Sequence, residues 1–183
     1  MAVDNPFEER YGHTLTVFDG KMWVIGGYPS NFDTDNVWQS SNGVNWTLVN
    51  DNVPYGIDLR GHSAFEFQNE LWMTNTYEDI WKTNNGTIWD LELEDSAFLR
   101  RVFASVESFD ENLVYFSGRA TNNASLFYND IWYSIDGKNW TQGAEEATYL
   151  GRYLHTSVVY QGKIYLIGGQ NSQGYLNDVW VLD

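Results

Sequence analysis

A chain of 183 residues with 25 Asp and Glu against 10 Lys and Arg carries a formal charge of -15 at pH 7. That field repels nucleic acid and anionic membrane surfaces, and no apolar run reaches the roughly 18 residues needed to span a bilayer. The absence of Cys removes disulfides, thiolate metal sites and thiol nucleophiles, while the length suits one domain with an aromatic-rich core.

Met1 to Arg10 is polar and acidic and lacks the apolar segment of a signal peptide, so a soluble chain is expected, with its compartment unread. His13 to Phe18 then reads as a strand, Asp19-Gly20 as a two-residue hairpin, and Lys21 to Ile25 as a second strand closing on Gly26-Gly27. A polar loop runs from Tyr28 to Asp35. Asn36 to Gln39 opens a third strand, Asn42-Gly43 makes a tight turn, and Asn45 to Leu48 is a fourth strand. The same order returns three times. Asn36-Val37-Trp38 is echoed by Asp79-Ile80-Trp81, Asp130-Ile131-Trp132 and Asp178-Val179-Trp180. Asn85-Gly86 and Asp136-Gly137 repeat the turn, and Trp46, Trp89 and Trp140 close the three full copies. The double Gly returns as Gly168-Gly169, is reduced to Ser117-Gly118, and is replaced by Asn75-Thr76. The fourth copy stops before its second Trp.

Self-similarity at a spacing of about 40–50 residues marks a repeat array. Four short antiparallel strands per repeat make a propeller blade. The double Gly ending strand two, the hydrophobic-Trp pair of strand three and the Trp of strand four resemble the Kelch family of β-propellers, galactose-oxidase-like central domains included. The expected fold is therefore all-β, a single domain of four Kelch-like blades at about 10–58, 59–99, 100–151 and 152–183 plus 1–9. Ala2-Val3-Asp4 is placed to pair with Asp178 to Leu182 and complete blade four. The competing reading is four blades of a larger ring, completed by further residues or a second chain. The resemblance implies a binding scaffold more often than an enzyme. Galactose oxidase chemistry, which needs a Cys cross-linked to Tyr, is excluded.

Strand alternation puts the short turns on one face of the blades and the long loops on the other. Long loops on a rigid scaffold carry binding, and these hold Tyr28, Phe32, Tyr55, Tyr77, Phe98, Tyr128, Tyr149 and Tyr175. Five arginines, Arg10, Arg60, Arg100, Arg101 and Arg152, cluster at the starts of innermost strands, a positive focus suited to carboxylate or phosphate. The competing structural reading pairs them with Asp58, Asp95, Glu145 or Glu146. The Asn36, Asp79, Asp130 and Asp178 series reads as a turn or cap. His13, His62 and His155 open strand one in three copies, with Phe103 in that place in the other. Three imidazoles match the ligand count of a catalytic zinc site, although the Kelch resemblance gives this His a packing and hydrogen-bonding role, and no metal is expected. No nucleophile elbow, HExxH, P-loop or dinucleotide fingerprint is present, so no catalytic residue and no cofactor are assigned. The leading expectation is a non-catalytic module binding a protein or glycan at the long-loop face. The ligand residues are Arg10, Arg60, Arg100, Arg101 and Arg152 with Tyr28, Tyr77, Tyr128 and Tyr175. The alternatives are an enzyme acting on an acidic sugar or similar anionic small molecule, and a homo-oligomer or part of a larger propeller.

Overall fold

The computed structural model describes residues 6–28, 34–53 and 59–182. The chain is all-β, and its four main antiparallel sheets are the blades of a β-propeller. It divides into two compact units, Met1–Glu92 with blades one and two, and Leu93–Asp183 with blades three and four. The expected pairing of Ala2-Val3-Asp4 lies outside the described residues, as do Phe32, Tyr55 and Asp58.

Blade one consists of β1 (Thr14–Phe18), β2 (Lys21–Ile25), β3 (Val37–Ser40) and β4 (Thr47–Asn50), hydrogen-bonded in chain order. Blade two repeats this as β5 (Ser63–Phe67), β6 (Glu70–Thr74), β7 (Ile80–Thr83) and β8 (Asp90–Leu93). In blade three, β9 (Arg101–Val102) precedes β10 (Ser105–Phe109) and β11 (Asn112–Phe116); β12 (Arg119–Ala120) precedes β13 (Ile131–Ser134) and β14 (Thr141–Ala144). The short strands β9 and β12 pair with each other, outside the four-stranded sheet. Blade four has β15 (Thr156–Tyr160), β16 (Lys163–Ile167) and β19 (Val179–Leu182), with the small hairpin β17 (Gln170–Asn171) and β18 (Gly174–Tyr175) inserted before β19.

All four inner hairpins turn in two residues with both φ positive: Asp19-Gly20, Gln68-Asn69, Asp110-Glu111 and Gln161-Gly162. Two positive φ values give the turn whose twist matches that of the strands it joins. The sequence marks only the two Gly-bearing copies; register imposes the same conformation on Gln68-Asn69 and Asp110-Glu111 without a Gly.

The connection from third to fourth strand is longer than the two residues expected. It runs from 41 to 46 in blade one, so Trp46 precedes β4, as Trp89 precedes β8 and Trp140 precedes β14. Side chains hold this loop. The hydroxyls of Ser40, Thr83 and Ser134 accept the amides of Gly43, Gly86 and Gly137 at 2.9 Å each. Asn42, Asn85 and Asp136 accept the two amides that follow that Gly. Those amide bonds draw the Asp136 carboxyl down to about 2. The Trp89 and Trp140 indoles then donate back to the carbonyls of Gly86 and Gly137.

Each unit has its own apolar core. In the first, Phe18, Trp23, Ile25 and Val37 of blade one meet Leu71 and Met73 of blade two. In the second, Val114, Phe116 and Ile131 of blade three meet Ile164, Leu166 and Leu182 of blade four. Gly86 (φ 73) sits hard against this packing, because a Cβ there would collide with the Trp23 ring. Gly20 (φ 66) has nothing within 4 Å of the same point. Gly20→Ala is therefore expected to cost only backbone strain, about 1 kcal/mol. Gly86→Ala adds overpacking and should cost about 2–4 kcal/mol. Urea unfolding followed by Trp fluorescence measures both, and equal losses would refute the Trp23 contact.

Candidate functional site at the inner-strand ends

At the long-loop end of the blades, strands one and two run on past their main ladder. Tyr11 bridges Tyr28, β9 pairs with β12, and Tyr153 bridges Gln170. An Arg stands at the root of three of these extensions. Arg101 donates to both carboxylate oxygens of Asp130 at 2.5 and 2.8 Å, to the Ser117 carbonyl at 3.0 Å and to the Leu99 carbonyl at 2.9 Å. Arg152 repeats this with Asp178 at 2.5 and 2.8 Å, Gly168 at 2.8 Å and Leu150 at 3.1 Å. Arg10 does so with Asn36 Oδ1 at 2.7 Å, Gly26 at 3.0 Å and Glu8 at 3.1 Å. The side chains of Arg101 and Arg152 have no exposed surface. Asn36, Asp130 and Asp178 of the Asx series are thus the acceptors of Arg10, Arg101 and Arg152. In blades three and four the same carboxylate also takes an indole N–H, from Trp132 at 2.8 Å and Trp180 at 2.6 Å. The equivalent indole nitrogens of Trp38 and Trp81 are buried without an acceptor among the described residues.

Blade two carries Leu59 at the Arg position. Its carbonyl accepts the Gly27 amide at 3.1 Å, as the Arg152 carbonyl accepts Gly118 at 2.8 Å. With no cation there, Asn75 donates its side-chain amide to Asp79 at 3.0 Å. Arg60 and Arg100 are therefore neighbours of this position and do not occupy it. Arg60 lies over the Tyr28 ring at 5.4 Å, and Arg100 is exposed.

The histidine alignment also shifts. The residue three after the pin is His13, His62, Ala104 or His155, so Ala104, rather than Phe103, takes the place in blade three. The Cβ of His13, Ala104 or His155 is among the atoms that a side chain on Gly27, Gly118 or Gly169 would crowd. His62 Nδ1 donates to the Leu59 carbonyl at 2.7 Å, so its Nε2 accepts the Thr14 hydroxyl at 2.9 Å. His155 Nε2 meets the Ser105 hydroxyl at 2.8 Å. Each of these bonds joins a blade to the one before it. Burial pushes both histidines down to about 4. His13 is exposed. Among the described residues no cluster of three or more His, Cys, Asp or Glu is placed to hold a metal ion.

The tyrosines divide in the same way. Tyr128 covers Arg101, with the guanidinium 3.9 Å from its ring centre. Tyr28 packs against Tyr11 with the ring centres 5.6 Å apart and the planes tilted by 54°. Phe98 and Tyr149 are core residues, and burial pushes the Tyr149 hydroxyl up to about 12. Tyr77 and Tyr175 are exposed, Tyr175 at 90%.

One basic residue escaped the sequence pattern. Arg119, on β12, lies over the Tyr153 ring at 4.7 Å, and Phe127 and Phe103 flank that ring at 5.6 and 6.1 Å. Its Nε is buried with no acceptor. Among the described residues the Arg119 side chain makes no hydrogen bond or ion pair. Its only sequence signal is an Arg directly after Ser117-Gly118, a place held by Tyr28 and Gln170 in blades one and four. The carboxylate with a raised pKa is elsewhere. Glu107, mid-β10, is pushed up by burial and accepts the Ser157 hydroxyl at 2.5 Å. A cleft of about 460 Å³ between Leu99, Leu126, Tyr128 and Glu146 includes neither Glu107 nor an Arg.

Residues 151–183 match the family model described as the Kelch motif. Blade four is thus similar to a Kelch repeat. Blades one and three share its pattern of Arg, Gly, Asx and Trp, and blade two keeps the frame while exchanging the Arg for Leu59. Over 98% of its length the chain is 24% identical to Tip elongation aberrant protein 3 of Schizosaccharomyces pombe, and covers 15% of that protein. Over its whole length it is 25% identical to a Leucine-zipper-like transcriptional regulator 1 homolog of Drosophila melanogaster, covering 21% of it. The chain thus spans about a fifth or less of the relatives it matches. Arg10, Arg101 and Arg152 hold the second and third strands of blades one, three and four to the start of the first, whereas Arg119 keeps a buried Nε without an acceptor.

Proposed function

We propose that the chain is a protein-interaction module whose long-loop end holds a partner's carboxylate on Arg119. The observation that carries this reading is the Arg119 guanidinium, lying over the Tyr153 ring with a buried Nε–H that has no acceptor among the described residues. An orphaned buried donor costs about 1–3 kcal/mol until something accepts from it. A carboxylate meets that need in the bidentate geometry that suits guanidinium, and the rings of Tyr153, Phe127 and Phe103 offer an apolar wall for the neighbouring part of a peptide. The Kelch match supports an interaction scaffold, and neither relative bears the name of an enzyme.

The test uses short peptides carrying a central Glu, their Gln counterparts, and glucuronate, titrated against the chain by calorimetry. Binding of the Glu peptides over the Gln peptides is expected, with Arg119→Gln weakening it at least tenfold, the scale of about 1.5 kcal/mol for a charged hydrogen bond. The melting temperature should stay unchanged. Equal binding of Gln peptides, or full affinity in Arg119→Gln, overturns the proposal. Binding of glucuronate alone moves the reading to an acidic glycan.

A further inference from the structure

The cleft of about 460 Å³ at the long-loop end of blade three is a site separate from Arg119. Ligand sites run from roughly 300 to 1,000 Å³, so the cleft has room for a long side chain. Three segments of one unit enclose it: 97–99 before β9, 126–132 from the long loop into β13, and 142–146 from β14 onward. Hydrogen bonds tie these segments together. The Ala147 amide donates to the Asn129 carbonyl at 2.9 Å, and the Asn129 side chain donates to the Ala147 and Tyr149 carbonyls at 3.0 and 3.1 Å. The Leu126 carbonyl accepts the Ala120 amide at 3.0 Å, and the Tyr128 amide donates to the Gly118 carbonyl at 2.9 Å. The walls are therefore set by the fold.

The apolar lining is Leu99, Leu126, Phe127, Tyr128 and Trp132, with Leu99 and Leu126 62% and 41% exposed. The polar lining is dominated by acceptors. Both amide hydrogens of Asn129 are engaged by the two carbonyls, which leaves its Oδ1. The Trp132 indole N–H is engaged by Asp130, and both Asp130 oxygens take Arg101. Glu145 and Glu146 are exposed, and neither side chain makes a hydrogen bond or ion pair among the described residues. Gln142 and the Tyr128 hydroxyl add groups that both donate and accept. No Lys or Arg among the described residues lines the cleft.

An acceptor-rich cleft with an apolar and aromatic wall complements a side chain that has a long apolar stem and a cationic end. The formal charge of -15 draws such a cation towards the chain. We infer that the cleft takes an Arg side chain of a partner peptide, with its methylenes against Leu99 and Leu126 and its guanidinium on the Glu145 and Glu146 carboxylates. Arg suits it better than Lys, because a guanidinium forks onto carboxylate and also lies flat on a ring such as Trp132. The inference rests on the reading of the chain as a protein-interaction module, and not on Arg119, which does not line the cleft.

Titration calorimetry tests it with a short Leu-flanked Arg peptide and its citrulline counterpart, which keeps the shape and removes the charge. Salt at about 0.15 M, with a screening length of about 8 Å, limits diffuse attraction to the acidic chain. The Arg peptide is expected to bind about tenfold more tightly than the citrulline peptide, or better, the effect of one charge-assisted hydrogen bond. Glu145→Gln combined with Glu146→Gln should remove that preference and leave the melting temperature unchanged. Arg119→Gln should bind the Arg peptide as the wild type does. A chain that binds the Arg peptide but no Glu peptide overturns the Arg119 reading alone. Asp110→Asn combined with Glu111→Gln removes as much charge at the β10–β11 turn and should change nothing. An equal loss there would reduce the effect to net charge and overturn the inference. So would equal binding of the citrulline peptide, or full affinity in the Glu145 and Glu146 double variant.

Discussion

Arg101→Leu is expected to destabilise the chain by about 3–5 kcal/mol, the cost of removing one partner from a buried ion pair. The Arg101 side chain is fully buried and Asp130 is 11% exposed. Burial alone pulls the guanidinium down. Hydrogen bonding to Asp130, together with Tyr115 and Tyr128, more than offsets that and holds it above its ordinary value. Without the Arg, Asp130 keeps the Trp132 indole as a donor, and the Ser117 and Leu99 carbonyls each lose one. A loss of that size is a large share of the 5–15 kcal/mol typical of a domain. Asp130→Asn placed on top of Arg101→Leu should recover part of it, because no charge is then stranded. Urea midpoints of the wild type, both single variants and the double variant close the cycle. A double variant no better than Arg101→Leu would show that shape, and not the stranded charge, sets the cost.

Lowering the pH from 7 to 4 should remove about 3 kcal/mol through His62 alone, given its fall from 6.5 to about 4. The folded chain holds His62 neutral. Below about pH 6.5 the unfolded chain takes up a proton that the folded one refuses, so stability falls steadily as the pH drops towards 4. Desolvation is the main cause. The Thr14 hydroxyl can reverse its role, so protonation need not break that bond, but the charge still has no water, and His13 disfavours it further. His155, pushed down by burial and by Arg152, adds loss in the same window, more weakly because the residue is only half-buried. Glu107 works in the opposite direction. Its raised pKa means that the folded chain prefers it protonated, so acid favours the fold there. The depressed Asp178 contributes stability that is lost only below the ordinary carboxylate range, outside this window. Urea midpoints at pH 7 and 4.5 for wild type and His62→Gln check the assignment. The variant should lose less stability on acidification, and an unchanged pH dependence would remove His62 from the account.

The repeat was legible because its signals are local. Ser134, Asp136 and Gly137 fix their turn through contacts within five residues, and the same spacing recurs in Ser40 with Gly43 and Thr83 with Gly86. The role of Asp130 was not legible. Alone it reads as a loop cap, and only the fold brings Arg101, 29 positions earlier, onto both its oxygens. The slip from Ala104 to Phe103 has a similar cause. Adjacent Arg100 and Arg101 offer two alignments, and the pairing of Ser105 with Phe116 selects one.

The sequence by itself determined the all-β class, the four blades, the inner hairpins at Asp19-Gly20 and Gln161-Gly162, and the Trp-bearing turns, because each is set by periodicity and by φ preferences within a few residues. Only the tertiary structure decided which arginines are structural, which His contacts cross between blades, and that Arg119 has donors to spare. Those outcomes depend on which carboxylate or carbonyl a guanidinium reaches across the sheet. Side chains distant in sequence compete for such partners, and folding alone settles the competition.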